Sequence, residues 1–426
     1  MRIFKNNNLS DEERAVVLRR PAVESAAKIE KIVSDILNNI KKNGDDALFN
    51  YSKTLDHFDG DNLMISEDEI LAAEKRLNKK LKIAIDEAFV NISNFHKEQT
   101  PRVLTLTTAD GIVCESRTHA LDSVGLYVPG GSAPLVSTAL MLAIPAMVAG
   151  CREVVLCSPP PISDAILYAA SLCNVHKIFN IGGAQAIGAM AYGTKTVPKV
   201  SKIFGPGNQY VTMAKSLVRN DPQGAAIDMP AGPSEVLVIA DEHANAAYVA
   251  ADLLSQAEHG PDSQVMLVTT SLDLANKVKE EIDNECAFLS RSLIARQALT
   301  ESSILIVNSI DEAVAISNTY APEHLILQIK DAEKYLNAIR NAGSIFVGAY
   351  TPESLGDYAS GTNHTLPTYG YARTYSALGT DDFRRRYTIQ RATKEGLEKI
   401  ASTITTLAKA EGLDAHGYAV TVRLEK

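Results

Sequence analysis

From residue 123 onward, short apolar runs alternate with longer amphipathic or fully apolar stretches, and glycine or proline marks most of the changes between them. This pattern predicts strands at 123–128, 153–158, 177–181 and 202–204, each followed by a helix, at 135–149, 163–172, 184–192 and 208–218. After Ala231, Gly232, Pro233 and Ser234 the rhythm resumes, with strands expected at 235–240, 264–269, 304–307, 324–329 and 344–348. Regular βα alternation implies a parallel sheet with helices on both faces. The expected fold class is therefore α/β, with two tandem doubly wound, incompletely Rossmann-like units.

The flanking segments read differently. Residues 1–21 look like a polar arm. Helices are expected at 22–42, where Ile29, Ile32, Val33, Ile36 and Leu37 follow helical spacing, and at 66–97, where Ser66 and Glu69 have capping-box spacing. Alternation over 104–118 suggests a hairpin turning at Ala109, Asp110 and Gly111. His57 and His96 lie in polar surroundings and are expected to be exposed. Past Thr351 the sheet-building runs stop, and one amphipathic helix at 397–410 precedes a short tail at 415–424. The expected organisation is an arm at 1–21, a larger domain at 22–122 plus 235–378, an inserted unit at 123–234, and a helical tail at 379–426. The early helices are expected on the second unit, and the tail on another subunit.

Composition narrows the function classes. The 426 residues carry a net charge of −9 with no basic block, which disfavours nucleic acid as a partner. The N-terminus has no apolar stretch of the secretory kind. The longest apolar run, 133–151, is interrupted by Ser137, Thr138 and Pro145, and fits a buried helix better than a membrane span. Five cysteines with no CxxC pair point to reduced thiols in a cytoplasmic protein, filling core positions.

Several clusters could carry chemistry. Gln256 and His259 stand three apart at the end of an apolar helical run, where they could hold a metal or simply cap the helix. Glycines follow three strands of the first unit, at 130–131, 182–183 and 205–207; they could admit a dinucleotide or only make tight turns. Glu323 and His324 put two proton-transfer groups at a strand end, where a polar strand start is the plainer reading. Asp357 and His364 lie in a glycine-rich loop after the last strand, and Glu411 and His416 flank the helix end at Gly412. Gln256, His259, Asp357 and His416 would together make a four-ligand N/O zinc site, although spacing alone does not bring them together.

The runs VGLYVPGG at 124–131, FGPGN at 204–208, DMPAGPSE at 228–235, QAEHGP at 256–261, NTYAPEHL at 318–325 and SGTNH at 360–364 resemble histidinol dehydrogenase, in order and over nearly the whole chain. The resemblance implies a zinc enzyme oxidising L-histidinol to L-histidine in two NAD-dependent steps through an aldehyde, the last step of histidine biosynthesis. It implies zinc ligands Gln256, His259, Asp357 and His416, which also touch substrate, and proton-transfer residues Glu323 and His324. Ser234, His324, His364 and Glu411 would contact substrate, and Tyr127, Gln185 and Asn208 would contact NAD. It further implies a homodimer whose active site is shared through the tail. A zinc hydrolase using Glu323 as base is the competing expectation from the residues themselves.

Overall fold

The computed structural model describes residues 1–21, 26–130, 135–230 and 232–425. Gly131, Ala231, and the first residues of the helix expected from 22 lie outside the described residues.

Two parallel sheets form as the βα rhythm requires. In the five-stranded sheet Ser123–Tyr127 is central. Glu153–Ser158 and Lys177–Asn180 extend it on one side, Lys202–Phe204 and Ala226–Ile227 on the other. All neighbours run parallel. Strand order thus reverses between Ser123–Tyr127 and Lys202–Phe204, the topological switch point at which open α/β sheets bind ligands. Alternate side chains enter two cores: Leu126 and Leu156 face one, Val155 and Cys157 the other.

The six-stranded sheet repeats this winding. Glu235–Ala240 is central, between Gln264–Thr269 and His324–Gln328, with Ser303–Ile306 and Ser344–Val347 beyond them. Val236 and Val238 face one core, Leu237 and Ile239 the other.

Four expectations change. The N-terminal arm is built into the fold: Arg2–Lys5 pairs in parallel with Ser303–Ile306 as the sixth strand, and Ser10 and Glu13 form a full capping box on the helix Asp11–Val17. The early helices pack on the first unit. Ile29, Val33 and Leu37 share a core with Val155 and Cys157, and Ile70, Ile85 and Ile92 share the other with Val124 and Leu126. The inserted sheet has two faces to cover, and these apolar stripes cover them. A strand at Arg384–Ala392 stands where no strand was expected, pairing antiparallel with Ile112–Ala120 in a sheet completed by Leu104–Ala109. Its four arginines mask the period-two signal. Finally, His96 is fully buried, with Nδ1 2.7 Å from Gln99 Oε1 and Nε2 3.3 Å from Asn363 Nδ2. It faces inward on the amphipathic helix Lys79–Glu98, so the polar neighbours in sequence were the wrong guide.

The apolar run becomes the buried helix Val136–Ala149, which carries Pro145 and ends at Gly150 with φ +85°. Among the described residues no helix is long and apolar enough to cross a membrane. All five cysteines are free, and three of them are buried.

Candidate active site between the two sheets

Glu323 and His324 are buried at the amino end of the strand His324–Gln328. They meet the amino end of the neighbouring central strand. The Glu235 N–H donates to Glu323 Oε2 at 2.8 Å, and the Glu235 carbonyl lies 3.0 Å from His324 Nδ1. One residue's backbone therefore holds both candidate proton-transfer groups. The Glu235 carboxylate is itself clamped by both ends of the Arg20 guanidinium, which stacks 4.0 Å over the Tyr320 ring. This bidentate pairing ties the N-terminal segment to the floor of the site. The sequence carries no sign of it, because Arg20 and Glu235 are far apart and belong to no shared motif.

His324 Nδ1 also lies 2.8 Å from Gln256 Nε2. A neutral ring that donates Nδ1–H to the Glu235 carbonyl leaves its lone pair on Nε2. That nitrogen is buried and has no hydrogen-bond partner, with Asp357 Oδ1 3.5 Å away. Burial opposes a charge on His324, but the carboxylates of Glu353, Glu323 and Asp357 outweigh it and hold the imidazole pKa well above its usual value. A cation bound among those carboxylates would remove that bias and favour the neutral base.

Asp357 does not stay at the carboxyl rim of its sheet. The chain turns back after Ser344–Val347 and forms the helix Glu353–Tyr358, which passes so close to Phe346 that a Cβ on Gly356 would lie 2.7 Å from its ring. Asp357 is thereby delivered to His324 at the opposite end of the strands. Burial alone would raise its carboxyl, yet the facing His324 lowers its pKa below the usual aspartate value. A His259 nitrogen and one carboxylate oxygen from each of Glu353 and Asp357 lie within 4.8 Å of one another. Gln256 is buried beside them, with Nε2 donating to the Glu235 carbonyl at 3.2 Å, which leaves its Oε1 for another partner. Imidazole, carboxylate and amide oxygen are donors that zinc accepts. His364 donates Nδ1–H to the Asp357 carbonyl at 2.9 Å and holds Thr138 Oγ1 at 3.1 Å, so it braces the same loop; burial lowers its pKa and keeps it neutral.

Ser234, Glu323 and His364 line a cavity together with Gly205, Pro206 and Lys215. The amino end of the six-stranded sheet thus faces the carboxyl end of the five-stranded one across this space. Glu411 and His416 do not line it. Both are exposed on the C-terminal segment, and His416 is not part of the His259 cluster within one chain.

The three expected cofactor residues all lie at the carboxyl end of the five-stranded sheet. Tyr127 ends the central strand, and its hydroxyl accepts from Gly183 N–H at 3.0 Å. Gln185 is buried in the first turn of the helix Gly183–Tyr192. Asn208 is exposed and caps the helix Gln209–Asn220 through Oδ1, leaving its amide N–H groups for a ligand. Asp56, missed in the sequence, reaches this edge from 129 positions upstream and accepts from Gln185 Nε2 and Gly182 N–H at 3.0 and 3.1 Å.

The turn after Lys202–Phe204 is fixed from both sides. Gly205 N–H donates to Asp228 Oδ2 at 2.7 Å, and the buried Lys215 Nζ donates to the Gly205 carbonyl at 2.7 Å while pairing with Asp228. Gly205 has φ +117°, and a Cβ there would lie 2.1 Å from the Tyr127 carbonyl oxygen. Gly205→Ala is accordingly expected to cost about 2–5 kcal/mol of stability, combining backbone strain with a steric clash. Urea unfolding checks this; a loss under about 1 kcal/mol would mean the turn relaxes freely.

The sequence profile of the family described as histidinol dehydrogenase matches residues 18–424. Histidinol dehydrogenase of Vibrio vulnificus strain YJ016 is 54% identical over 100% of this chain and 99% of its own length. That of Salmonella typhimurium strain LT2 is 55% identical over 98% of this chain and 96% of its own. The crystal structure of histidinol dehydrogenase from Elizabethkingia anophelis superposes with a TM-score of 0.96 at 47% identity, covering 100% of this chain and 98% of that one. A profile match and identity of this degree over the full length show that the chain belongs to the histidinol dehydrogenase family.

Proposed function

We propose that the protein oxidises L-histidinol to L-histidine in the cytosol, in two successive NAD-dependent steps through the aldehyde, with one zinc ion per subunit. The observation that carries the reading is the buried, unpartnered Nε2 of His324, set beside the His259–Asp357 cluster, with the adjoining Glu323 lining a cavity that Gly205 and Pro206 of the 123–234 unit line too. Dehydrogenase-named relatives over the full length favour oxidation above the hydrolase alternative.

In the first step His324 Nε2 takes the hydroxyl proton as hydride leaves the carbinol carbon. In the second, Glu323 takes a proton from the water that adds to the aldehyde, so that a hydrated carbon can lose the second hydride. Glu323 Oε2 is fixed by the Glu235 N–H, which aims the carboxylate and leaves its other oxygen for that water. Ser234 and His364 line the substrate's space, and Tyr127, Gln185 and Asn208 offer polar groups to the dinucleotide. NAD, when bound, supplies the hydride acceptor. Zinc, held by Gln256, His259 and Asp357 and by His416 from a second copy, would orient the substrate's nitrogens and polarise its oxygen.

The tail supports a homodimer. Leu407, Leu413, Tyr418 and Val422 are exposed along its helices, an apolar surface suited to a second copy. Incubating zinc-loaded enzyme with L-histidinol and NAD should yield two NADH per histidine formed, followed by absorbance and by product analysis. No NADH under these conditions would rule the proposal out.

A further inference from the structure

Glu353 has no part in the zinc set named above, yet the structure gives it the attributes of a ligand. It opens the helix Glu353–Tyr358 and precedes Asp357 by one turn, so both carboxylates project from one face. Like charges at this spacing repel even at a surface. Here Glu353 is 1% exposed, and its Oε2 has no hydrogen-bond partner. Asp252 and Glu323 add further negative charge nearby. Among the described residues no lysine or arginine pairs with Glu353 or Asp357; the only ion-pairing partner is His324, 3.5 Å from Asp357. A buried carboxyl with a free oxygen and acidic neighbours either holds a proton or meets a cation, and zinc can take the proton's place. The atoms that could share one are in place, because a Glu353 oxygen lies within 4.8 Å of both a His259 nitrogen and an Asp357 oxygen.

We propose that Glu353 is a further zinc-holding residue, binding the ion through its carboxylate beside His259 and Asp357. The inference rests on the zinc reading above and deepens it. Two carboxylates balance the charge of a divalent ion. With Gln256 and His259 they give each chain four donors of its own, so that a single chain can retain zinc when His416 of another copy is absent.

The test is zinc binding, not turnover. Apoprotein prepared by chelation is titrated with zinc against a chromophoric competitor, and the visible spectrum of the cobalt-substituted protein is recorded. Wild type should take up one ion per chain. Glu353→Gln should weaken affinity at least about tenfold and alter the cobalt bands, with Glu353→Asp in between. Its apoprotein should melt at the wild-type temperature or above, since the amide has the shape of the carboxyl and breaks no ion pair of Glu353. A His416→Ala variant should keep its zinc, and the Glu353→Gln/His416→Ala pair should lose it. Wild-type affinity with an unchanged cobalt spectrum in Glu353→Gln would overturn the proposal. So would a lowered apoprotein melting temperature, which would make the carboxylate a packing element. Failure of wild type to bind zinc would instead refute the zinc reading on which this rests.

Discussion

His324→Ala is expected to lower kcat with L-histidinol by about 10²–10⁴ while the protein keeps its zinc. An imidazole takes up a proton near neutral pH, and that of His324 has its Nε2 buried without a hydrogen-bond partner. Removing it leaves no base placed for the hydroxyl proton. The metal set should survive, because the two members that touch His324 each have another hold. Gln256 keeps its bond to the Glu235 carbonyl, and Asp357 keeps its helix and the brace from His364 through its own carbonyl. The loss should therefore fall equally on kcat and kcat/KM, the signature of an interaction made in the transition state. Steady-state kinetics with metal analysis of the same sample checks this. A variant within tenfold of wild type would remove His324 from proton transfer. A zinc-free variant would show instead that His324 supports the metal.

The βα rhythm was legible because its physics is local. Fully buried strands such as Glu235–Ala240 and Gln264–Thr269 carry continuous apolar stretches behind a polar first residue, and their bounds agree with the structure residue for residue. The elements that escaped depend on tertiary partners. Arg2–Lys5 has only two apolar residues and becomes a strand by adding to an exposed edge. Arg384–Ala392 is a strand despite its arginines because Ile112–Ala120 offers nine paired positions. The early helices show an apolar stripe, but a stripe does not say which sheet it covers. The site divides the same way. Glu323, His324, Gln256 and His259 lie in compact motifs, whereas Arg20, Asp56 and Glu353 act from separate segments. Glu353 is the plainest case: in sequence it is a glutamate after a proline, and only its burial one turn from Asp357 marks it out.

Mixing His324→Ala protein with His416→Ala protein, each expected to turn over poorly alone, should restore activity once subunits exchange. The reasoning starts from where one chain places its tail. The strand Arg384–Ala392 and the helix Lys394–Ala410 are fastened to the hairpin: Thr393 N–H bonds the Gly111 carbonyl at 2.9 Å, and a Cβ on Gly396 would lie 2.6 Å from that same oxygen. So held, the tail leaves His416 exposed and outside the cluster of its own chain. If a two-fold partner supplies it, each site combines the body of one chain with the tail of the other. A mixed dimer then has one site lacking both histidines and one site with both intact. Random exchange of equal amounts makes half the dimers mixed, so recovery should approach about one quarter of wild-type activity. Exchange is verified independently with mass-tagged subunits. Demonstrated exchange without recovery would place His416 in its own chain's site or in none, and would require the tail to move or the metal set to close without it.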